Sequence, residues 1–269
     1  MNEPFLEPRP RVVAHRGDSH SFPENTLDAF LSASKMGVDV IETDVHLTKD
    51  GKVVIWHDNT LERNTNGTGL VEEYTLAELK ALDAGYTFTT DGGLSHPFRG
   101  KGVKMITLDE ALEACKGQRF NVDLKSKNPA IVKAFTDVVD SHHAQNRVLC
   151  ASFHLAHLQT MREKTPSILT SVTTVEVLSL LLRQKLHLLP TQFSSSRTLV
   201  FQVPVKQWGI QVITPNFIEE FHKRGAIIMV WTINDEKEMH TLYDMGVDTI
   251  MSDNASLLLK VATQKGLRK

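Results

Sequence analysis

Eight short runs of β-branched and other apolar residues limit what this chain can fold into more than any other feature. They lie at Val12–His15, Val38–Val45, Phe120–Leu124, Arg147–Ala151, Ile168–Val172, Thr198–Val203, Ala226–Trp231 and Asp248–Met251. Most are followed by a stretch with apolar residues at helical spacing, as in Thr26–Met36, Ala130–Ser141 and Glu236–Met245. Eight strand–helix repeats fit a closed parallel barrel better than an open doubly wound sheet, although alternation by itself allows both. The length of 269 residues is equally permissive, since one α/β barrel takes about 250 residues.

One segment breaks the alternation. Between His57 and Thr107 come Asn64-Thr65-Asn66-Gly67-Thr68-Gly69, Asp91-Gly92-Gly93 and Arg99-Gly100-Lys101-Gly102, polar and glycine-rich punctuation that marks turns. Leu76–Leu82 is the good helical run within it. Residues 59–102 are therefore read as a small inserted subdomain after the second strand, within a single domain spanning 11–263.

The chemistry gathers where the apolar runs end. A strand alternates its side chains, so Glu42 and Asp44 in Val40-Ile41-Glu42-Thr43-Asp44-Val45 share one side. His15, Glu42, Asp44, Asp123, Lys125 and Trp231 all fall at or near the C-terminal ends of runs, where barrel enzymes carry their reacting groups. Glu42, Asp44 and Asp123 make a three-carboxylate set for one hard divalent cation, magnesium or calcium. His15 and His57 are the acid/base pair, with His15 written as base and His57 as acid. Arg16 and Lys125 suit phosphoryl oxygens, and Gly17 permits a tight turn beside them. Each group alone has a plainer use. Asp44 could pair with an arginine, Asp123 with Lys125, and Asn25 could be a helix N-cap; the convergence of three carboxylates favours the ligand reading.

Lys and Arg total 30 against 32 Asp and Glu, so no basic surface for nucleic acid is expected. Cys115 and Cys150 give neither a disulfide framework nor zinc-ligand spacing, and Cys150, in an apolar run, reads as a small core residue. Met1–Pro10 lacks the basic start and apolar core of a signal peptide. Val177–Leu189 is too short and too charged to cross a bilayer. A cytoplasmic protein with no integral membrane segment is the expectation. Most of the 12 histidines, including His142, His143, His154 and His157 in helical stretches, read as solvated. The basic end at Gln264–Lys269 reads as frayed.

Taken in order, His15-Arg16-Gly17, Pro23-Glu24-Asn25-Thr26, Glu42-Thr43-Asp44, Trp56-His57-Asp58 and Val230-Trp231-Thr232-Ile233-Asn234-Asp235 resemble the glycerophosphodiester phosphodiesterase family. The resemblance runs from about Val12 to Leu258. It implies a (β/α)8 TIM barrel whose insertion caps the mouth, and a metal-dependent hydrolysis of a small glycerophosphodiester to glycerol 3-phosphate and an alcohol by two histidines. It also brings Glu24 and Asn25 close to the site, as supports for the reacting groups. Trp231, with Phe153 as a weaker candidate, would form the apolar wall on the glycerol side of the substrate. Two departures stand out. The third carboxylate is commonly glutamate in E-x-K, where this chain has Asp123-Leu124-Lys125; and Ser252-Asp253-Asn254-Ala255 lacks the family's usual proline. A lysophospholipase D-like activity on lipid substrates is the alternative, followed by a non-catalytic phospholigand-binding barrel. The second would be expected to have lost a histidine or a carboxylate.

Overall fold

The computed structural model describes residues 3–193 and 198–268. Its strands are β1 (Val12–His15), β2 (Val40–Leu47), β3 (Val53–Ile55), β4 (Arg119–Leu124), β5 (Val148–Ala151), β6 (Leu169–Thr170), β7 (Val200–Val203), β8 (Lys206–Gln207), β9 (Ile210–Gln211), β10 (Ile227–Val230) and β11 (Thr249–Ser252). The helices are α1 (Leu27–Met36), α2 (Leu76–Lys80), α3 (Leu108–Ala114), α4 (Ala130–Ser141), α5 (Leu155–Lys164), α6 (Thr174–Lys185), α7 (Pro215–His222), α8 (Glu236–Asp244) and α9 (Ala255–Gln264).

Eight parallel strands follow one another in the order β6, β5, β4, β2, β1, β11, β10, β7. A parallel bridge between Ser171 and Val200, with the Val172 N–H donating to the Val200 carbonyl at 2.9 Å, joins the two ends. The fold is a (β/α)8 TIM barrel. Strand β3 pairs antiparallel with β2 outside the ring, and β8–β9 form a separate two-stranded hairpin.

Period-two alternation sorts the strand residues into two layers. Ile41, Val45, Phe120, Val122, Phe201 and Ile228 pack outward against the helices. Val13, Val40, Leu149, Val200, Met229 and Met251 fill the barrel interior, together with Phe5 and Leu6 from the chain start. The Arg119 guanidinium fixes that start by donating to the Phe5 and Pro8 carbonyls, each at 2.8 Å. Above this apolar layer, Asn121 and Gln202 exchange side-chain amide hydrogen bonds at 3.0 and 3.2 Å. The next inward positions up the strands are the charged ones.

Local chemistry sets where the helices begin. Thr107 and Thr173 form capping boxes with Glu110 and Glu176 at the starts of α3 and α6. Thr26, rather than Asn25, is the N-cap of α1, its hydroxyl accepting from the Ala29 N–H. Residues 59–102 contain α2 and a 3-10 turn at Val71–Glu73. Leu61, Val71, Leu79 and Ala84 from this segment share a small core with Val54, Trp56, Val103 and Met105 on either side of it.

Two further expectations are corrected. The basic end is not frayed through Arg268, because Leu267 packs on the core and Arg268 Nη1 donates to Asp39 Oδ2 at 3.1 Å; Lys269 lies outside the described residues. Nor are the histidines near helices uniformly solvated. His157 is buried with Nε2 2.9 Å from the Ser126 carbonyl, and His142 Nε2 lies 2.9 Å from Asp109. Both rings face carbonyl or carboxylate acceptors contributed by neighbouring elements, which spacing along one helix does not reveal.

Candidate active site

The mouth of the barrel opens into a cavity of about 400 Å³ whose lining includes His15, Arg16, Glu42, Asp44, His57, Asp123 and Lys125, with Phe153 and Trp231 on its apolar side. The strands deliver these residues in one phase. Parallel register sets His15 beside Glu42 and Asp44 beside Asp123. Two-residue steps then carry β1 to His15, β2 to Glu42 and Asp44, β4 to Asp123 and Lys125, and β10 to Trp231. His57 arrives differently: β3 doubles back on β2, and the Trp56 N–H donates to the Asp44 carbonyl at 2.9 Å.

Each histidine is held by a carboxylate. His15 Nδ1 lies 2.6 Å from Asp253 Oδ1, and its Nε2 lies 3.8 Å from Glu42. His57 Nδ1 lies 2.5 Å from Asp58 Oδ1. The two carboxylates differ in what else they serve. Asp58 also accepts from the Arg63 guanidinium at 2.5 and 3.1 Å, whereas the Asp253 carboxylate, among the described residues, otherwise accepts from the Asn234 amide at 2.7 Å and the Ser19 hydroxyl at 3.5 Å. The two proton affinities shift in opposite directions. Burial opposes charge on His15, but Glu42 and Asp253 outweigh it and hold the imidazolium above its ordinary range. For His57, burial combined with Arg16 and Lys125 outweighs Asp44 and Asp58, and its pKa falls.

The three inward carboxylates are buried. Burial and the adjacent Asp44 push Glu42 up; burial likewise raises Asp123. Burial would raise Asp44 too, but Lys125 and Arg16 overcome it and keep Asp44 ionised. Lys125 Nζ bridges Asp44 Oδ1 at 3.0 Å and Asp123 Oδ2 at 2.7 Å, and Arg16 Nε stands 3.5 Å from Asp44 Oδ2. The pairings weighed from the sequence are therefore present. They leave Asp123 Oδ1 buried without a hydrogen-bond partner. Among the described residues, no three His, Cys, Asp or Glu side chains stand close enough to hold an ion as placed. The donor chemistry nevertheless fits a hard cation: three carboxylates converge there, and Asp123 Oδ1 is orphaned among them.

The supports around this set come from the turn after β1. Arg16 and Asn25 take left-handed backbone, φ 57° and 58°, and the Arg16 N–H donates to Glu42 Oε2 at 3.2 Å. Asn25 Nδ2 donates to Asp44 Oδ2 at 3.1 Å while its carbonyl accepts from Thr43 Oγ1 at 2.8 Å. Glu24 accepts from Arg16 at 2.9 Å and from both terminal nitrogens of Arg63 at 2.9 and 2.7 Å. Gly17 has φ 82°, and a Cβ there would sit 2.9 Å from the Ala29 backbone. Phe153 is half exposed, with Lys125 Nζ 5.3 Å from its ring centroid.

Sequence reasoning missed Asp253, Asp58 and Arg63. Asp253 had a signal, since it directly follows the last strand as His15 ends the first, and β11 pairs with β1. Arg63 had none, because only the fold of 59–102 brings it to Glu24 and Asp58.

Residues 15–257 match the model of the glycerophosphoryl diester phosphodiesterase family. The chain is 32% identical to a glycerophosphodiester phosphodiesterase of Caldanaerobacter subterraneus subsp. tengcongensis, over 95% of this chain and 98% of the relative. Among solved structures, one from Silicibacter pomeroyi DSS-3 shares the fold with TM-score 0.81 at 24% identity, covering 98% of this chain and 99% of that one. A phosphodiesterase of Oleispira antarctica, solved in complex with the product sn-glycerol-3-phosphate, gives TM-score 0.76 at 28% identity, covering 94% and 97%.

Proposed function

The chain belongs to the glycerophosphoryl diester phosphodiesterase family, and from that membership we propose that it hydrolyses glycerophosphodiesters to glycerol 3-phosphate and an alcohol at the mouth of its barrel. The observation that carries the site assignment is the meeting of His15, His57, Arg16 and Lys125 with three buried carboxylates in one cavity.

Arg16 and Lys125 bind and orient the phosphate through its free oxygens and stabilise the charge that builds on them. Attack of a water oxygen forms the new P–O bond while the bond to the alcohol breaks; one proton must leave the attacking oxygen and one must reach the departing alkoxide. The carboxylate partners favour the opposite order to that written from the sequence. Glu42 and Asp253 favour the imidazolium of His15, which suits the protonated acid; burial with Arg16 and Lys125 favours neutral His57, fit to act as base. A divalent cation held by Glu42, Asp44 and Asp123 would add Lewis-acid stabilisation of the phosphoryl oxygens. Trp231 walls the cavity on its apolar side and shields the reacting phosphate from bulk water.

The test is release of glycerol 3-phosphate from glycerophosphocholine, with EDTA and then with Mg²⁺ or Ca²⁺ restored. Release that the chelator stops and one ion rescues supports both the reaction and its cation. Release indifferent to chelation removes the cation from the reading, and no release with any ion overturns the substrate.

The apolar wall supports a second reading, a lysophospholipase D-like reaction on a substrate whose glycerol carries an acyl chain. Val172, Val177, Leu178, Leu181 and Val203 line the cavity, more apolar surface than a glycerol needs. Choline release from lysophosphatidylcholine exceeding that from glycerophosphocholine would favour it.

A further inference from the structure

Helix α6 has two apolar faces. Val177 and Leu181 turn inward to the core and the cavity. Val175, Leu178, Leu182 and Leu186, spaced three, four and four residues apart, form a second stripe that is 47–59% exposed. Beyond the helix, Leu188 is 65% exposed, and on the β8–β9 hairpin Trp208 and Ile210 are 74% and 59% exposed. A surface helix ordinarily turns its second face to water with polar side chains, and contiguous exposed apolar surface marks a binding face.

Two observations say what covers it. The first is charge. From Thr174 to Ile213 the only acidic residue is Glu176, and it is engaged by Arg162 and by the start of α6. Arg183, Lys185 and Lys206 stand in the same span, so the apolar stripe has a basic border. The second is continuity. Leu178 and Trp208 belong both to the exposed surface and to the cavity lining, so exposed apolar side chains from both elements reach the mouth. Apolar residues with a cationic border match the interface of an anionic bilayer, which takes the apolar side chains among its acyl chains and the bases at its headgroups.

We propose that α6 and the β8–β9 hairpin form a docking face for an anionic phospholipid surface, which sets the barrel mouth against the membrane. No helix among the described residues is long and apolar enough to cross a membrane; the docking proposed is interfacial. The docking is independent of the reaction proposed above.

The test uses the full chain and sonicated vesicles of phosphatidylcholine, with and without 30% phosphatidylglycerol. Cosedimentation is measured together with tryptophan emission, because, of the three tryptophans, Trp208 is exposed, Trp56 buried and Trp231 partly buried. The expected result is binding to the anionic vesicles with a blue shift, weakened by raising NaCl from 50 to 500 mM. Leu182→Glu with Leu186→Glu should weaken binding more than tenfold. Neither residue lines the cavity and both are already exposed, so turnover of soluble glycerophosphocholine should be unchanged. Arg183→Gln with Lys185→Gln should weaken binding about tenfold or more. Three results would overturn the proposal: no binding to anionic vesicles at 50 mM salt, binding that the glutamates leave intact, or a dimer in sizing experiments that the glutamates dissolve. Failure of the phosphodiesterase reading would appear separately, as absent turnover in a protein that still binds vesicles.

Discussion

Asp253→Asn isolates the charge on which the acid role of His15 depends. The substitution preserves shape, and with its amide oxygen toward His15 Nδ1 the ring keeps a partner, while its NH2 replaces the oxygen that accepted from Asn234 Nδ2. What disappears is the negative charge 2.6 Å from the imidazole. A hydrogen bond to a charged group contributes about 1.5–3 kcal/mol and one to a neutral acceptor about 0.5–1.5 kcal/mol. Keeping the bond while removing the charge, at a carboxylate whose side chain is 41% exposed, therefore costs about 1 kcal/mol. At 1.36 kcal/mol per decade, kcat should fall roughly fivefold, with KM little changed. The direction of the pH effect follows from the sign of the shift. Asp253 helps hold the His15 pKa above its ordinary value, so removing its charge lowers that pKa. An acid works only while protonated, and the alkaline limb of the rate profile must therefore move to lower pH. Steady-state kinetics on glycerophosphocholine across the pH range reads both effects. A variant within twofold of the parent kcat, with an unmoved alkaline limb, would refute the assignment of His15 as an acid supported by Asp253.

Other substitutions probe different links. Arg63→Ala frees Asp58 and Glu24 together and should cut kcat about tenfold or more, as loss of an outer-shell support commonly does; circular dichroism should stay native. His15→Ala and His57→Ala should each abolish measurable turnover without unfolding, and near-normal activity in either would end the two-histidine mechanism. Gly17→Ala forces a side chain into left-handed backbone against Ala29 and should cost about 2 kcal/mol or more in urea unfolding. Phe5→Ala empties a fully buried position at the barrel floor and should cost about 3–5 kcal/mol by the same measurement, leaving kcat near normal.

The inward phase of the strands is legible in the order of residues alone. Alternation in Val40–Val45 places Glu42 with Asp44, and the ends of runs collect His15, Asp123, Lys125 and Trp231. What the chain hides is closure. Asp253 meets His15 across 238 residues because the ring brings β11 to β1, and no local spacing encodes that meeting. Arg63 is hidden more deeply, since its partners Glu24 and Asp58 come from two other segments and the small core beneath 59–102 sets the distance. At Asn25 the sequence leaves two roles open. Its residue type suits an N-cap, but Thr26, one position on, takes that role, and tertiary hydrogen bonds from Asn25 to Asp44 and Thr43 prevail.

The barrel wall is unequal around its circumference. On one side β2 and β4 are locked through six consecutive register pairs, and the acids, Lys125 and His15 rise from them and from β1. On the other, β6 spans two residues and meets β7 through a single bridge, and the segments leaving these short strands supply the apolar lining. The residues proposed to react and the apolar lining thus occupy opposite arcs, one tied by a long ladder and the other by a single bridge. Substitutions on the sparsely bridged arc would reshape the lining without touching the side chains proposed to react.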